Sequence, residues 1–215
     1  MSASLVVIAK APAPGRSKTR LCPPCSFEEA ARLAEAALAD TLEAVAATRV
    51  GRRVVVLDGE PGPWLPCGTE VIPQRGDGLD ERLAAAFDDV GGPALLIGMD
   101  TPQVTSALLE HALAGLAHPA ADAVLGEAED GGYWAIGMRR SDPAVFLRVP
   151  MSTSRTAVGQ RLRMRVLGLQ VGSLPRLRDV DRIEDAYAVA STIPGSRFAR
   201  AVTEVAAVRL SPVAG

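Results

Sequence analysis

The sequence predicts an alternating α/β fold with buried parallel strands that deliver polar loops to one edge of a central sheet. Three observations carry that expectation. Leu5 to Ala9 is an uninterrupted apolar run that gives way to the basic loop Lys10 to Leu21, KAPAPGRSKTRL. Ala94 to Gly98 is a second such run, and it ends in Asp100-Thr101-Pro102, the pattern of a buried parallel strand presenting a carboxylate at the sheet edge. Between them, Ala31, Ala34, Leu38, Leu42 and Val45 recur at steps of three and four, which gives a helix one apolar face to lay on the sheet.

Taken in order, Leu5 to Ala9 is the first strand. Ser26 followed by Glu29 is a capping-box start for a helix reaching about Thr48. Arg53 to Leu57 and Thr69 to Ile72 read as strands separated by the Pro/Gly-rich turns of Gly59 to Gly68, and Leu79, Leu83 and Phe87 mark a second amphipathic helix. After the strand Ala94 to Gly98, a helix is expected from about Gln103 to Leu116, then strands at Ala121 to Leu125 and Tyr133 to Met138 around Asp130-Gly131-Gly132. Thr153 to Arg163 reads as helix and Leu167 to Leu174 as extended chain; Asp181 opens a helix to about Ala190, and a last helix runs from Ser196 to Val208.

At 215 residues the chain is expected to form a single domain, 1–215, with a substantial core. A net charge of −2 argues against a nucleic-acid coat, which carries a basic excess. Five apolar residues before Lys10 are too few for a signal-peptide core or a membrane span, so the expected location is cytoplasmic, with no membrane partner. Cys22, Cys25 and Cys67 are an odd number, unlike a disulfide framework. Cys22 and Cys25 form a CxxC without a second pair, which reads as two loop thiols before it reads as a zinc or redox site.

The chemistry concentrates in a few segments. Lys10, Arg16, Lys18 and Arg20 lie in one loop with no carboxylate among them, an arrangement suited to a polyanion or to a solvated surface. It is not a P-loop, because Ser17 rather than Gly precedes Lys18 and Pro23-Pro24 interrupts the helix that would follow. Asp100 reads either as a magnesium ligand or as the cap of the helix after Pro102. Gln74 to Leu83 joins a Gly-containing turn to a helix start, where Gln74 or Arg82 could meet a base or phosphate. Asp130 to Tyr133 is a tight hairpin turn or an acceptor contact with Asp130 facing a metal. Ser152, Thr153 and Thr156 suit an acceptor hydroxyl or phosphate, with Ser152 equally a helix cap, and Asp181 reads as a cap.

In this order the segments resemble the glycosyltransferase-A-like transferase family related to 2-phospho-L-lactate guanylyltransferase. The resemblance rests on Ala9-Lys10-Ala11-Pro12 through Lys18-Thr19-Arg20-Leu21, on Gln74, Gly76, Leu79 and Arg82, on Leu96 to Pro102, on Asp130 to Tyr133, and on Pro150 with Ser152-Thr153. Met151, Asp80 and Glu127 stand where the family often has Trp, Gly and Pro. The resemblance implies a three-layer α/β/α sandwich with a mostly parallel sheet of the nucleotide-diphospho-sugar transferase (GT-A) type. It implies Lys18, Asp100 and Asp130 as catalytic groups, with Mg2+ or Mn2+ on Asp100. Lys10, Pro14, Gly15, Lys18, Arg20, Gln74, Gly76, Leu79 and Arg82 would bind the nucleotide, and Gly131, Gly132, Tyr133, Ser152 and Thr153 a small-molecule acceptor. The number of cations before the first helix suits a nucleoside triphosphate, so the expected reaction is nucleotidyl transfer to a small phosphorylated acceptor with release of pyrophosphate. Glycosyl transfer from a nucleotide sugar and non-catalytic nucleotide binding are the rival expectations.

Overall fold

A computed structural model describes residues 3–210. It contains seven strands, β1 (Ser4–Lys10), β2 (Arg52–Asp58), β3 (Glu70–Pro73), β4 (Ala94–Ile97), β5 (Ala123–Glu127), β6 (Tyr133–Met138) and β7 (Val171–Ser173). Six helices join them, α1 (Phe27–Ala47), α2 (Leu79–Val90), α3 (Ser106–Ala117), α4 (Thr156–Val166), α5 (Ile183–Thr192) and α6 (Arg197–Leu210). The strands form one sheet in the order β3-β2-β1-β4-β6-β5-β7. β6 alone runs against its neighbours β4 and β5, and every other pairing is parallel, so the sheet is mostly parallel as expected.

Side-chain alternation along the strands builds the layers. Leu5, Val7 and Ala9 of β1 point to the face covered by α1 and α3, where they meet Leu38, Leu42, Leu109 and Leu116. Val6 points to the opposite face and packs with Leu83, Phe87 and Val90 of α2 and Met164 of α4. Helices therefore cover both faces of the sheet. α1 is apolar on a second side: Ala30, Leu33 and Ala37 pack outward against α5 and α6 through Ala186, Val189, Phe198 and Val202. The predicted N-terminus of α1 is observed in full. Ser26 Oγ accepts from the Glu29 N–H at 3.2 Å, and the Glu29 carboxylate accepts from the Ser26 N–H at 2.8 Å.

Two helix starts lie three residues later than expected. α3 begins at Ser106 with Thr105 as its cap, because Thr101 to Val104 closes a turn of its own first (Val104 N–H to Thr101 O, 3.0 Å). Asp100 is therefore not a helix cap. α4 begins at Thr156 rather than Thr153, and Ser152 is not its cap; Ser152 has a left-handed backbone (φ 56°) in the turn before it. No helix among the described residues is long and apolar enough to cross a membrane.

The chain leaves β1 through α1 toward β2 and β3, then returns through α2 to β4 on the other side of β1. This reversal opens a crevice beyond the carboxyl ends of β1 and β4, the position where open α/β sheets bind ligands. Because β6 is antiparallel, its first residues Tyr133 and Trp134 reach the same edge, and Gly98 N–H donates to Trp134 O at 3.0 Å.

Candidate functional site

The basic loop folds on its own backbone at the end of β1. Ser17 is buried; its hydroxyl accepts from Ala13 N–H at 3.1 Å, and its N–H donates to Ala13 O at 3.0 Å. Lys18 is left-handed (φ 50°, ψ 37°), a conformation costing a non-glycine residue about 1–2 kcal/mol, and a single 3-10 turn, Thr19–Leu21, then drives Leu21 into the core between α1 and α5. α1 starts only at Phe27, so the loop does not run directly into a helix as a P-loop does.

Three carboxylates from distant segments meet the loop's cations. Asp58 at the end of β2 lies 3.6 Å from Lys10, 3.7 Å from Arg16 and 3.4 Å from Arg82. Asp100 lies 2.8 Å from Lys18 Nζ. Asp181 lies 3.5 Å from Lys18 and 2.9 Å from Arg20, and the Lys18 ammonium also donates to Val180 O. Burial alone would lower the Lys18 pKa, but Asp100, Asp181 and Asp179 outweigh it and hold the pKa above its ordinary value, so the buried side chain is a cation. The segment bearing Asp179 and Asp181 is tied to the loop after β4 by Val180 N–H donating to Asp100 O at 3.0 Å.

Asp179 completes the acidic edge. Its Oδ1 is buried with no hydrogen-bond partner, and burial together with the charges of Asp100 and Asp130 raises its pKa to about 7 despite Lys18 nearby. Two clefts meet here. One of about 240 Å³ is lined by Lys10, Arg16, Lys18, Arg20, Asp100 and Asp181. The other, about 370 Å³, is lined by Gln74, Leu79, Arg82, Tyr133, Trp134 and Asp179. Lys10, Met99 and Asp100 line both, so the clefts adjoin at the end of β4.

The expected residues divide by place. Lys10, Lys18, Arg20 and Asp100 line the first cleft, and Gln74, Leu79, Arg82 and Tyr133 the second. Gln74 is anchored: its side-chain amide donates to Ala9 O at 2.7 Å and Val56 O at 3.1 Å, which leaves Oε1 beside Arg82. Arg82 Nε donates to Gly76 O at 3.1 Å and so fixes the turn at Gly76. Tyr133 faces inward, its hydroxyl donating to Gln160 Oε1 at 3.3 Å, and burial pushes its pKa up. Pro14, Gly15, Gly76, Asp130, Gly131, Gly132, Ser152 and Thr153 line neither cleft. Asp130 accepts from the Gly132 N–H at 2.8 Å, which is the hairpin-turn reading, while its charge reaches Asp179. Thr153 Oγ1 is engaged locally, accepting from Arg155 N–H at 3.2 Å.

Asp181 is corrected from cap to site residue. The helix it precedes is held instead by Asp185, whose carboxylate accepts from Arg182 N–H at 2.9 Å, and the Asp181 carboxylate turns to Lys18 and Arg20. Asp58 and Asp179 were not singled out by sequence. Asp58 carried a usable signal, since it ends a predicted buried strand as Asp100 nearly does; Asp179 carried none. Among the described residues no three His, Cys, Asp or Glu side chains converge in metal-site geometry. Cys22 and Cys25 are not disulfide-bonded; the Cys22 thiol donates to Ser26 O at 3.3 Å.

Residues 33–153 match a family described as an uncharacterized protein conserved in bacteria, DUF2064. No curated protein matches the chain. A protein of Desulfovibrio desulfuricans G20 described as a "putative nucleotide-diphospho-sugar transferase" is similar in structure, with a TM-score of 0.85, 28% identity, and 97% of each chain covered. A CMP:2-keto-3-deoxy-manno-octonic acid synthetase complexed with CTP aligns over 89% of this chain and 99% of its own, with a TM-score of 0.58 and 15% identity. Rv0371C of Mycobacterium tuberculosis H37Rv, in complex with manganese, aligns over 88% of this chain and 98% of its own, with a TM-score of 0.51 and 17% identity. At these identities the last two establish likeness of fold.

Proposed function

We propose that the chain, which belongs to the DUF2064 family, is a nucleotide-dependent transferase that moves a nucleotidyl group from a nucleoside triphosphate to a small phosphorylated acceptor, releasing pyrophosphate. The observation that carries this reading is the convergence of Lys10, Arg16, Lys18 and Arg20 on one cleft that opens at Asp100 onto a second, less basic cleft. The first suits the phosphates, and the second, with Gln74, Leu79 and Arg82, suits the nucleoside.

A divalent cation fits the donors present. Asp100 and Asp179 offer hard carboxylate oxygens, and the partnerless Asp179 Oδ1 is the kind of buried acceptor an ion or its water satisfies. Magnesium commonly takes only one or two protein carboxylates and completes its shell with water and phosphate, so a larger acidic cluster is unnecessary. Charge balance favours the same arrangement. Asp58, Asp100 and Asp181 offset most of the loop's four positive charges, leaving a weak field for a triphosphate unless a cation joins Asp100. When bound, the ion would neutralise phosphate charge as it shifts toward the leaving group.

The chain's own groups would supply the rest. Arg20 and Lys18 would pair with the departing β- and γ-phosphates through charge-assisted hydrogen bonds. Lys10 would hold the α-phosphate side, since it borders both clefts. An acceptor phosphate oxygen forms the new bond to the α-phosphorus, the bond from that phosphorus to the bridging oxygen breaks, and pyrophosphate leaves with the electron pair. Positioning and electrostatics would carry the rate.

Glycosyl transfer from a nucleotide sugar is the second reading, favoured by the description of the 28%-identical Desulfovibrio protein. Product analysis separates the two. Incubation with each triphosphate, magnesium and phosphorylated acceptors is expected to release pyrophosphate. Release of a nucleoside diphosphate from a nucleotide sugar, with no pyrophosphate from any triphosphate, would replace the first reading by the second.

A further inference from the structure

The Lys18 ammonium is 2.8 Å from Asp100 Oδ1 and 3.5 Å from Asp181, donates to Val180 O, and is buried. It occupies the inner side of the carboxylate that the proposed function assigns to a divalent cation. An ion bound to Asp100 would sit about 2 Å from a carboxylate oxygen and only a few ångströms from the ammonium on the same group. Two cations a few ångströms apart in a partly buried site repel strongly. Lys18 is also the loop cation facing the first cleft from the left-handed turn, so its alternative partner is a phosphate of the bound nucleotide.

We propose that Lys18 is a built-in competitor of the metal: it neutralises Asp100 in the free protein and yields that carboxylate only when nucleotide phosphates draw the ammonium away. The metal then enters efficiently with the nucleotide rather than before it. This rests on the reading of Asp100 as the metal-holding carboxylate. The exchange keeps Asp100 neutralised throughout, by Lys18 before the nucleotide binds and by the metal after it. It also links the basic loop to residues 178–181, since Lys18 bridges Asp100 to Val180 and Asp181.

The test is a titration with Mn2+ alone, with free ion followed by electron paramagnetic resonance, on wild type, Lys18→Met, and Lys18→Met combined with Asp100→Asn. Lys18→Gln, which keeps a neutral donor for Val180 O, serves as a second variant, and circular dichroism verifies folding. Without nucleotide, Lys18→Met or Lys18→Gln is expected to bind Mn2+ at least about tenfold more tightly than wild type, as removal of one adjacent charge implies. The added Asp100→Asn change is expected to abolish the gain. Equal Mn2+ affinity in wild type and the Lys18 variants, lost on Asp100→Asn, would overturn the competition while leaving Asp100 as the metal carboxylate. Absence of Mn2+ binding in every protein, with or without triphosphate, would overturn the metal reading and the competition together.

Discussion

Arg20 is well exposed and, among the described residues, pairs only with Asp181, so Arg20→Ala should change stability by no more than about 1 kcal/mol. Its loss should nonetheless weaken triphosphate binding by about tenfold or more, as removal of a charge-assisted phosphate contact does, and calorimetry would measure this. Asp100→Asn should lower metal-dependent turnover by at least about a hundredfold in a pyrophosphate-release assay. The stability cost should stay near about 1 kcal/mol, because Asp181 and the Val180 carbonyl still hold the Lys18 ammonium. Lys18 and Asp100 were legible in the sequence because each follows an apolar run that had to end at the sheet edge. Asp179 and Asp181 were not. Their segment joins the site through the backbone bond from Val180 to Asp100, a contact eighty residues long in sequence that no local pattern announces. The loop also looked unneutralised because its counter-charges, Asp58, Asp100 and Asp181, all come from elsewhere.

Among the elements, β1 to β4, β6 and the first helix were readable to within a residue or so, since apolar runs and the Ser26/Glu29 box are local signals. β5 lies two residues later than read, and β7 is only Val171–Ser173 of the extended stretch Leu167 to Leu174. The starts of α3 and α4 were each read three residues early, because turns anchored by Thr101 and by Thr156 compete with the first helical turn. In the second case Thr156 Oγ1 donates to Pro150 O at 2.7 Å, wrapping residues 150–155 into a turn that seats against Gly131. A side chain at Gly131 would have its Cβ 2.0 Å from Ser154 O, on a backbone with φ +92° that suits glycine. Gly131→Ala should therefore destabilise the fold by at least about 2 kcal/mol in a denaturant titration. A change below about 0.5 kcal/mol would show that the β5–β6 turn and the α4 approach are not packed as described. The same turn accounts for the one reversed strand, since the few residues between β5 and β6 can return the chain only antiparallel.

At the scale of the molecule, one topological reversal beside β1 gathers the ends of β1, β2 and β4, the start of β6 and the segment 178–181 into a single edge. The fold class could be read from alternation alone, whereas the convergence of charges required the sheet order. The central claim is that this edge binds a nucleotide with a divalent cation. The most direct test is the thermal midpoint of the wild-type protein against a panel of nucleoside triphosphates, diphosphates and nucleotide sugars in saturating magnesium. At a hundredfold excess over the dissociation constant, the preferred nucleotide should add about 2.7 kcal/mol. That corresponds to a rise of roughly 5–11 °C for a chain of this size, and the rise should disappear in the Lys18→Ala/Arg20→Ala double variant. No shift with any of these ligands in the folded wild-type protein would contradict the account.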